Sequence, residues 1–123
     1  MSSTVLDASA VLAFLQDEEG AEVVESALRA GAVCGAANWS EVAQKVLAAD
    51  RDWPLARAVL NSYGLDVQPV TPADGEAAAG LWRRASGLSL ADRLCMAAGA
   101  RLDATILTAD AAWGSGDSIT QIR

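Results

Sequence analysis

Four acidic residues stand where short apolar runs give way to helical patterns, and their types and places suit hard metal-ion chemistry. Asp7 follows the run Thr4-Val5-Leu6 directly, in TVLDASA. Asp110 follows a second apolar run after one intervening residue, in TILTAD. Glu41, in NWSEVAQK, lies in the expected first turn of a helix opened by Asn38, and Asp92, in LSLADRLCM, in the expected first turn of one opened by Ser89. Clustered carboxylates take Mg²⁺ or Mn²⁺ through oxygen. Two ions held this way can position and activate water and stabilise a phosphodiester transition state.

A simpler account exists for each acid taken singly. Asp7 can cap the helix that follows it. Asn38 to Glu41, Thr71 to Asp74 and Ser89 to Asp92 all have the spacing of a capping box. An acid near a helix N-terminus contributes on the order of 0.3–1 kcal/mol. For Thr71 and Asp74 capping suffices. The other four are distinguished by where they fall together. Several carboxylates at one edge repel unless they are protonated or metal-bound, and capping does not require such clustering. Asp7, Glu41, Asp92 and Asp110 are therefore the candidate metal ligands and catalytic residues.

What is absent narrows the chemistry further. The 123 residues contain no histidine, which excludes Ser-His-Asp and Cys-His catalysis and nearly all zinc sites. The single lysine, Lys45, sits inside a helical pattern, unsuited to a P-loop or Schiff base. A formal charge of −7 argues against a simple nucleic-acid-binding module but leaves open an enzyme that meets nucleic acid through metal ions. Cys34 and Cys95 read as buried free thiols of a reducing compartment. No apolar run is long enough to span a membrane, and no secretory signal is visible at the start. The expectation is a cytoplasmic protein.

These residues must be positioned by the elements around them. The pattern predicts strands over 4–6, 32–37, 66–70, 104–108 and 118–122, the last at an edge. It predicts helices over 8–16, 21–30, 38–49, 53–63, from 71 to about 85, and 89–100. In the second helix Val23, Val24, Ala27 and Leu28 are expected inward. Strands alternating with helices imply right-handed crossovers and a mostly parallel sheet. The expected fold class is therefore α/β, a three-layer α/β/α sandwich forming one domain over 1–123. Ligands of such folds bind beyond the carboxyl ends of the strands, where Asp7 and Asp110 belong.

With these segments assembled, the sequence resembles the PIN-domain nucleases, and specifically the VapC toxins of toxin–antitoxin pairs. The resemblance covers essentially the whole chain in order: VLDASAVLAFL, NWSEVAQKVL and LSLADRLCMAAGARLDATILTAD. The last segment is the most specific. The resemblance implies a PIN-like nuclease whose acidic quartet is Asp7, Glu41, Asp92 and Asp110, supported by the hydroxyls of Ser9 and Thr108. It implies Mg²⁺- or Mn²⁺-dependent endoribonuclease activity on RNA, a homodimer, and inhibition by a cognate antitoxin whose tail covers the active site. One departure stands out. Where many relatives carry a further aspartate, this chain has Ala111 and Ala112, and Asp117 lies well beyond.

Other readings place different demands on the same residues. A receiver domain needs a lysine near a late strand. A haloacid-dehalogenase-type phosphatase needs a second aspartate where Ser9 stands. A ribonuclease H-like fold opens with long antiparallel strands. An inactive PIN-like interaction domain, or another Mg²⁺-dependent phosphate-ester hydrolase of α/β fold, remains as the alternative. Arg83, Arg84, Arg93 and Arg101 are candidate phosphate contacts against a plain solvated face. Trp82 and Trp113 are expected in or beside the core, and Trp53 is either an exposed anchor or ordinary packing.

Overall fold

Five short strands form one sheet: β1 (Thr4–Leu6), β2 (Ala32–Gly35), β3 (Asp66–Gln68), β4 (Thr105–Thr108) and β5 (Ile119–Gln121). Their order is β3-β2-β1-β4-β5, and every neighbouring pair is parallel. The computed structural model describes residues 4–116 and 118–123. Between the strands run six helices: α1 (Ala8–Leu15), α2 (Ala21–Ala30), α3 (Ala36–Ala48), α4 (Trp53–Ser62), α5 (Pro72–Gly80) and α6 (Leu90–Arg101). None of them is long and apolar enough to cross a membrane.

Alternation along the strands explains the three layers. Successive side chains of a strand face opposite sides. Leu6, Cys34 and Leu107 enter a core with Val11 of α1, Val24 and Leu28 of α2, Val42 and Val46 of α3 and Leu60 of α4. Their neighbours Val5, Val33 and Ile106 enter a second core with Cys95 of α6 and Trp113. The sheet is therefore covered on both faces, as a parallel sheet requires. At Gly99, α6 crosses β4 so closely that a Cβ would lie 2.7 Å from Cδ1 of Ile106.

Several boundaries differ from the sequence expectation, among them the end of β3, at Gln68 rather than Val70. Strand β2 ends at Gly35 rather than Ala37, because Gly35 is the N-cap of α3 and the helix formers Ala36 and Ala37 begin it. Helix α5 stops at Gly80 instead of about Ala85. Its end is closed by Arg83, whose Nη1 donates to the carbonyls of Gly80 and Trp82, and Ala85 and Gly87 then take left-handed conformations. A short 3₁₀ helix, Ala111–Trp113, was not expected. Val23, expected inward, is 38% exposed, and Trp82, expected in or beside the core, is 55% exposed. Trp113 is buried, and Trp53 is half-buried, packed edge-to-face on Trp39.

The two candidate capping boxes outside α3 form as expected, Thr71 with Asp74 and Ser89 with Asp92. Asp74 also receives a bidentate pair of bonds from Arg101, at 2.9 and 3.3 Å, which ties the start of α5 to the end of α6. Arg101 and the bonds to Thr71 hold the Asp74 carboxyl below its ordinary value. Arg101→Met should therefore lower stability by about 1–2 kcal/mol at neutral pH. The folded value lies below the unfolded one, so this contribution is present above the unfolded value and lost as pH falls through the folded one. Thermal melts should show the gap between parent and variant closing in acid.

Candidate active site

The carboxyl edge of the sheet gathers helix beginnings. Helices α1 and α3 leave it directly after β1 and β2. Helix α6 returns the chain to β4, so it runs antiparallel to the strands and starts at the same edge. Each N-terminus carries unpaired N–H groups and a partial positive charge that favours anions. Asp7 caps α1, Asp92 sits in the first turn of α6, and Asp110 caps the 3₁₀ helix after β4. Glu41 is in the second turn of α3, not the first, because α3 starts at Ala36.

Asp7 lies at the centre of the edge, just past the end of the middle strand, and is only 3% exposed. Its Oδ1 accepts from the backbone N–H of Ala10 and from Ser9 Oγ, both at 2.8 Å. Its Oδ2 accepts from Thr108 Oγ1 at 2.5 Å. Ser9 Oγ in turn accepts from the Ala109 N–H, and Thr108 Oγ1 accepts from the Asp110 N–H. Each hydroxyl has one proton, and both are directed at Asp7. The 3.2 Å approach between the two hydroxyl oxygens is then a contact rather than a further hydrogen bond. Thr108, fully buried on β4, thereby joins Asp7 to the loop that carries Asp110.

Burial pushes the Asp7 carboxyl above its ordinary value. The bonds from Thr108, Ala10 and Ser9 oppose that rise, and the charge of Asp92 adds to it. Asp7 and Asp92 are thus near enough to repel. Glu41 reaches the same region: with Asp7 it adds to the rise of the Cys34 thiol, which burial chiefly pushes up to about 12. Cys95 is raised in the same way. Neither thiol is therefore ionised at neutral pH, which removes cysteine chemistry from this edge.

None of the four acids takes part in a salt bridge among the described residues. Glu41 accepts at Oε1 from Asn38, Asp92 at Oδ2 from the Ser89 N–H, and Asp110 at Oδ1 from the Ala112 N–H. The second oxygen of each of these three has no hydrogen-bond donor among the described residues. All-oxygen donors without cationic partners fit Mg²⁺ or Mn²⁺ in chemical type. As placed, however, no three acidic side chains among the described residues close on a common point. Asp117 lies outside the described residues.

Three of the candidate phosphate contacts are engaged elsewhere. Arg93 donates through Nη1 to the Ala78 carbonyl of α5, and Arg101 holds Asp74. Arg83 is folded onto backbone carbonyls at the end of α5, and Arg84 is exposed. Asn38, read from the sequence as a cap, is instead buried inside the first turn of α3, where it bonds Glu41 and the Ala91 carbonyl. The signal for this was available in Ala36-Ala37, which favours helix ahead of Asn38.

Comparison with known proteins places this chain in a family. The PIN domain model matches residues 4–115. The chain belongs to the PIN domain family. Members of that family are generally nucleases that use divalent metals. A PIN chain's fold also recurs in a toxin–antitoxin complex from Klebsiella pneumoniae, with a TM-score of 0.77, 14% identity and coverage of 98% of each chain. At that identity the likeness concerns the fold. No curated protein matches the sequence.

Thr108→Val tests the hydroxyl cradle of this PIN domain. It keeps the shape of the side chain but removes the donor to Asp7 and the acceptor for the Asp110 N–H. A stability loss of about 1–3 kcal/mol is expected in a denaturant titration.

Proposed function

We propose that this chain, residues 1–123 acting as one PIN domain, is a Mg²⁺- or Mn²⁺-dependent endoribonuclease. We further propose that it is the toxin of a VapC-type toxin–antitoxin pair. The observation that carries the nuclease reading is the carboxyl edge itself. Asp7 is buried there with both oxygens held by fixed donors, Asp92 is near enough to raise it, Asp110 is joined to it through Thr108, and neither these nor Glu41 has a cationic partner among the described residues. Excess negative charge at one edge is costly unless a cation offsets it, and family membership supports the hydrolase chemistry.

In this reading Asp7, Glu41, Asp92 and Asp110 hold the metal. A bound divalent ion would generate a water nucleophile and offset charge on the phosphodiester group. The chain's own residues do the rest. Ser9, Thr108 and the Ala10 N–H keep Asp7 in one orientation as an acceptor on both oxygens. The beginnings of α1, α3 and α6 favour an anionic phosphate at the same edge. The toxin–antitoxin complex that shares the fold supports an antitoxin partner. A homodimer and a cytoplasmic location complete the proposal.

The test is cleavage of total RNA by the purified protein with Mg²⁺ or Mn²⁺, with EDTA as control and Asp92→Asn beside the parent. Cleavage that needs metal and is lost in Asp92→Asn is the expected result. A parent that leaves RNA intact with either ion would overturn the nuclease reading and favour the inactive interaction domain. Metal-dependent cleavage of small phosphate esters but not RNA would favour another hydrolase class.

A further inference from the structure

Asn38 is 1% exposed, and its side chain spans the gap between the helices that carry Glu41 and Asp92. Its Nδ2 donates to Glu41 Oε1 at 3.2 Å, one turn along α3, and to the Ala91 carbonyl at 3.4 Å. Ala91 immediately precedes Asp92 in the first turn of α6. Both partners are acceptors, so the orientation of the amide is dictated by chemistry: a flipped group would set an oxygen against a carboxylate and a carbonyl.

The other half of the amide does nothing for the fold. Asn38 Oδ1 is buried without a partner among the described residues. A buried, unsatisfied acceptor is destabilising. An apolar residue of the same size would fill this place without that cost. The asparagine is explained by what its Nδ2 holds, not by packing.

We propose that Asn38 is a positioning residue of the active site. By clamping the first turns of α3 and α6 it fixes the separation of the Glu41 and Asp92 carboxylates, and it leaves the second oxygen of Glu41 uncommitted. This inference rests on the reading of the four acids as a cation site. Partners that orient metal ligands typically matter by about 10–100-fold in affinity or activity.

Asn38→Leu separates clamping from packing. The variant should melt at the parent's temperature or above in EDTA, because an unsatisfied acceptor is gone. Its Mn²⁺ affinity, by calorimetry, should fall about tenfold or more, and kcat on RNA should fall similarly with KM unchanged. Asp7→Asn serves as the control that reports the cation site. If the parent binds Mn²⁺, Asp7→Asn does not, and Asn38→Leu matches the parent, Asn38 is only a core residue and the inference fails by itself. If the parent binds no Mn²⁺, the cation reading fails and the clamp falls with it. Should Asn38→Leu not fold, the parent still decides. Its Asn38 side-chain amide, in a ¹⁵N spectrum, must exchange slowly and show an Overhauser contact to Ala91, and fast exchange would overturn the clamp.

Discussion

Asp7→Asn should reduce metal-dependent RNA cleavage on the order of a thousandfold or more, while the metal-free protein melts at the same temperature or higher at neutral pH. The two halves of this result come from one geometry. Asp7 is the most buried of the four acids, and it directly follows the middle strand of the sheet. The same burial makes its charge costly in the absence of metal. Its folded value is raised above the unfolded one, chiefly by desolvation and partly by Asp92. Stability from the protonated form is therefore complete below the unfolded value and lost as pH rises through the folded value. The neutral amide avoids that loss. Its nitrogen can donate to Thr108 Oγ1, whose proton can then turn to Ser9 Oγ at 3.2 Å. Melts in EDTA across the pH range should show the advantage of Asp7→Asn at neutral pH and its disappearance in acid. A variant that cleaves like the parent would remove Asp7 from the site. A variant much less stable than the parent at neutral pH would show that the carboxylate's hydrogen bonds outweigh its desolvation.

The largest effect on folding is expected far from the acids, at Gly20. This residue caps α2 with φ of +93°, and a Cβ there would lie 2.7 Å from the Ile122 carbonyl oxygen and 2.8 Å from its Cγ1. Gly20→Ala meets two penalties. The left-handed backbone costs an L-residue about 1–2 kcal/mol, and forcing atoms into a filled space adds about 1–3 kcal/mol. The loss should be about 2–5 kcal/mol in chemical denaturation, because relief requires β5 to move away from the α1–α2 turn. Gly64, also at positive φ but with open space around its Cβ position, serves as the control. Gly64→Ala should show only the backbone part. Equal losses at the two positions would mean that the contact with Ile122 is not tight in solution.

The placement of Asp7 and Asp110 at strand ends was legible from sequence because each follows a short apolar run, although each run taken singly also fits a helix cap. Ser9 and Thr108 entered only through the resemblance to PIN-domain nucleases, and the structure shows both hydroxyls bonded to Asp7. The crossover topology followed from alternation alone. What stayed hidden was set by tertiary contacts. Asn38 and Glu41 match a capping box, and only the start of α3 at Ala36 shows that Asn38 serves Glu41 and α6 instead. The apolar pattern after Pro72 continues past Gly80, so it does not reveal that Arg83 closes the helix and Trp82 faces solvent. The partners of Arg93 and Arg101 lie on α5, 15 and 27 residues away, beyond the reach of local pattern.

The hydrogen bond from Thr108 to Asp7 joins residues 101 apart in the chain. Closing a loop of that length costs about 2 kcal/mol more than closing one of ten residues, and the cost precedes any reward from the contact. During synthesis the middle strand is made first and must wait for β4, made near the end. Until then Asp7 has no Thr108 to hold it and no Asp110 beside it, so a growing chain carries the acid without the constellation. This edge is therefore completed only late in synthesis. A truncation anywhere before β4 leaves a polypeptide with its first aspartate intact but without Thr108 and Asp110.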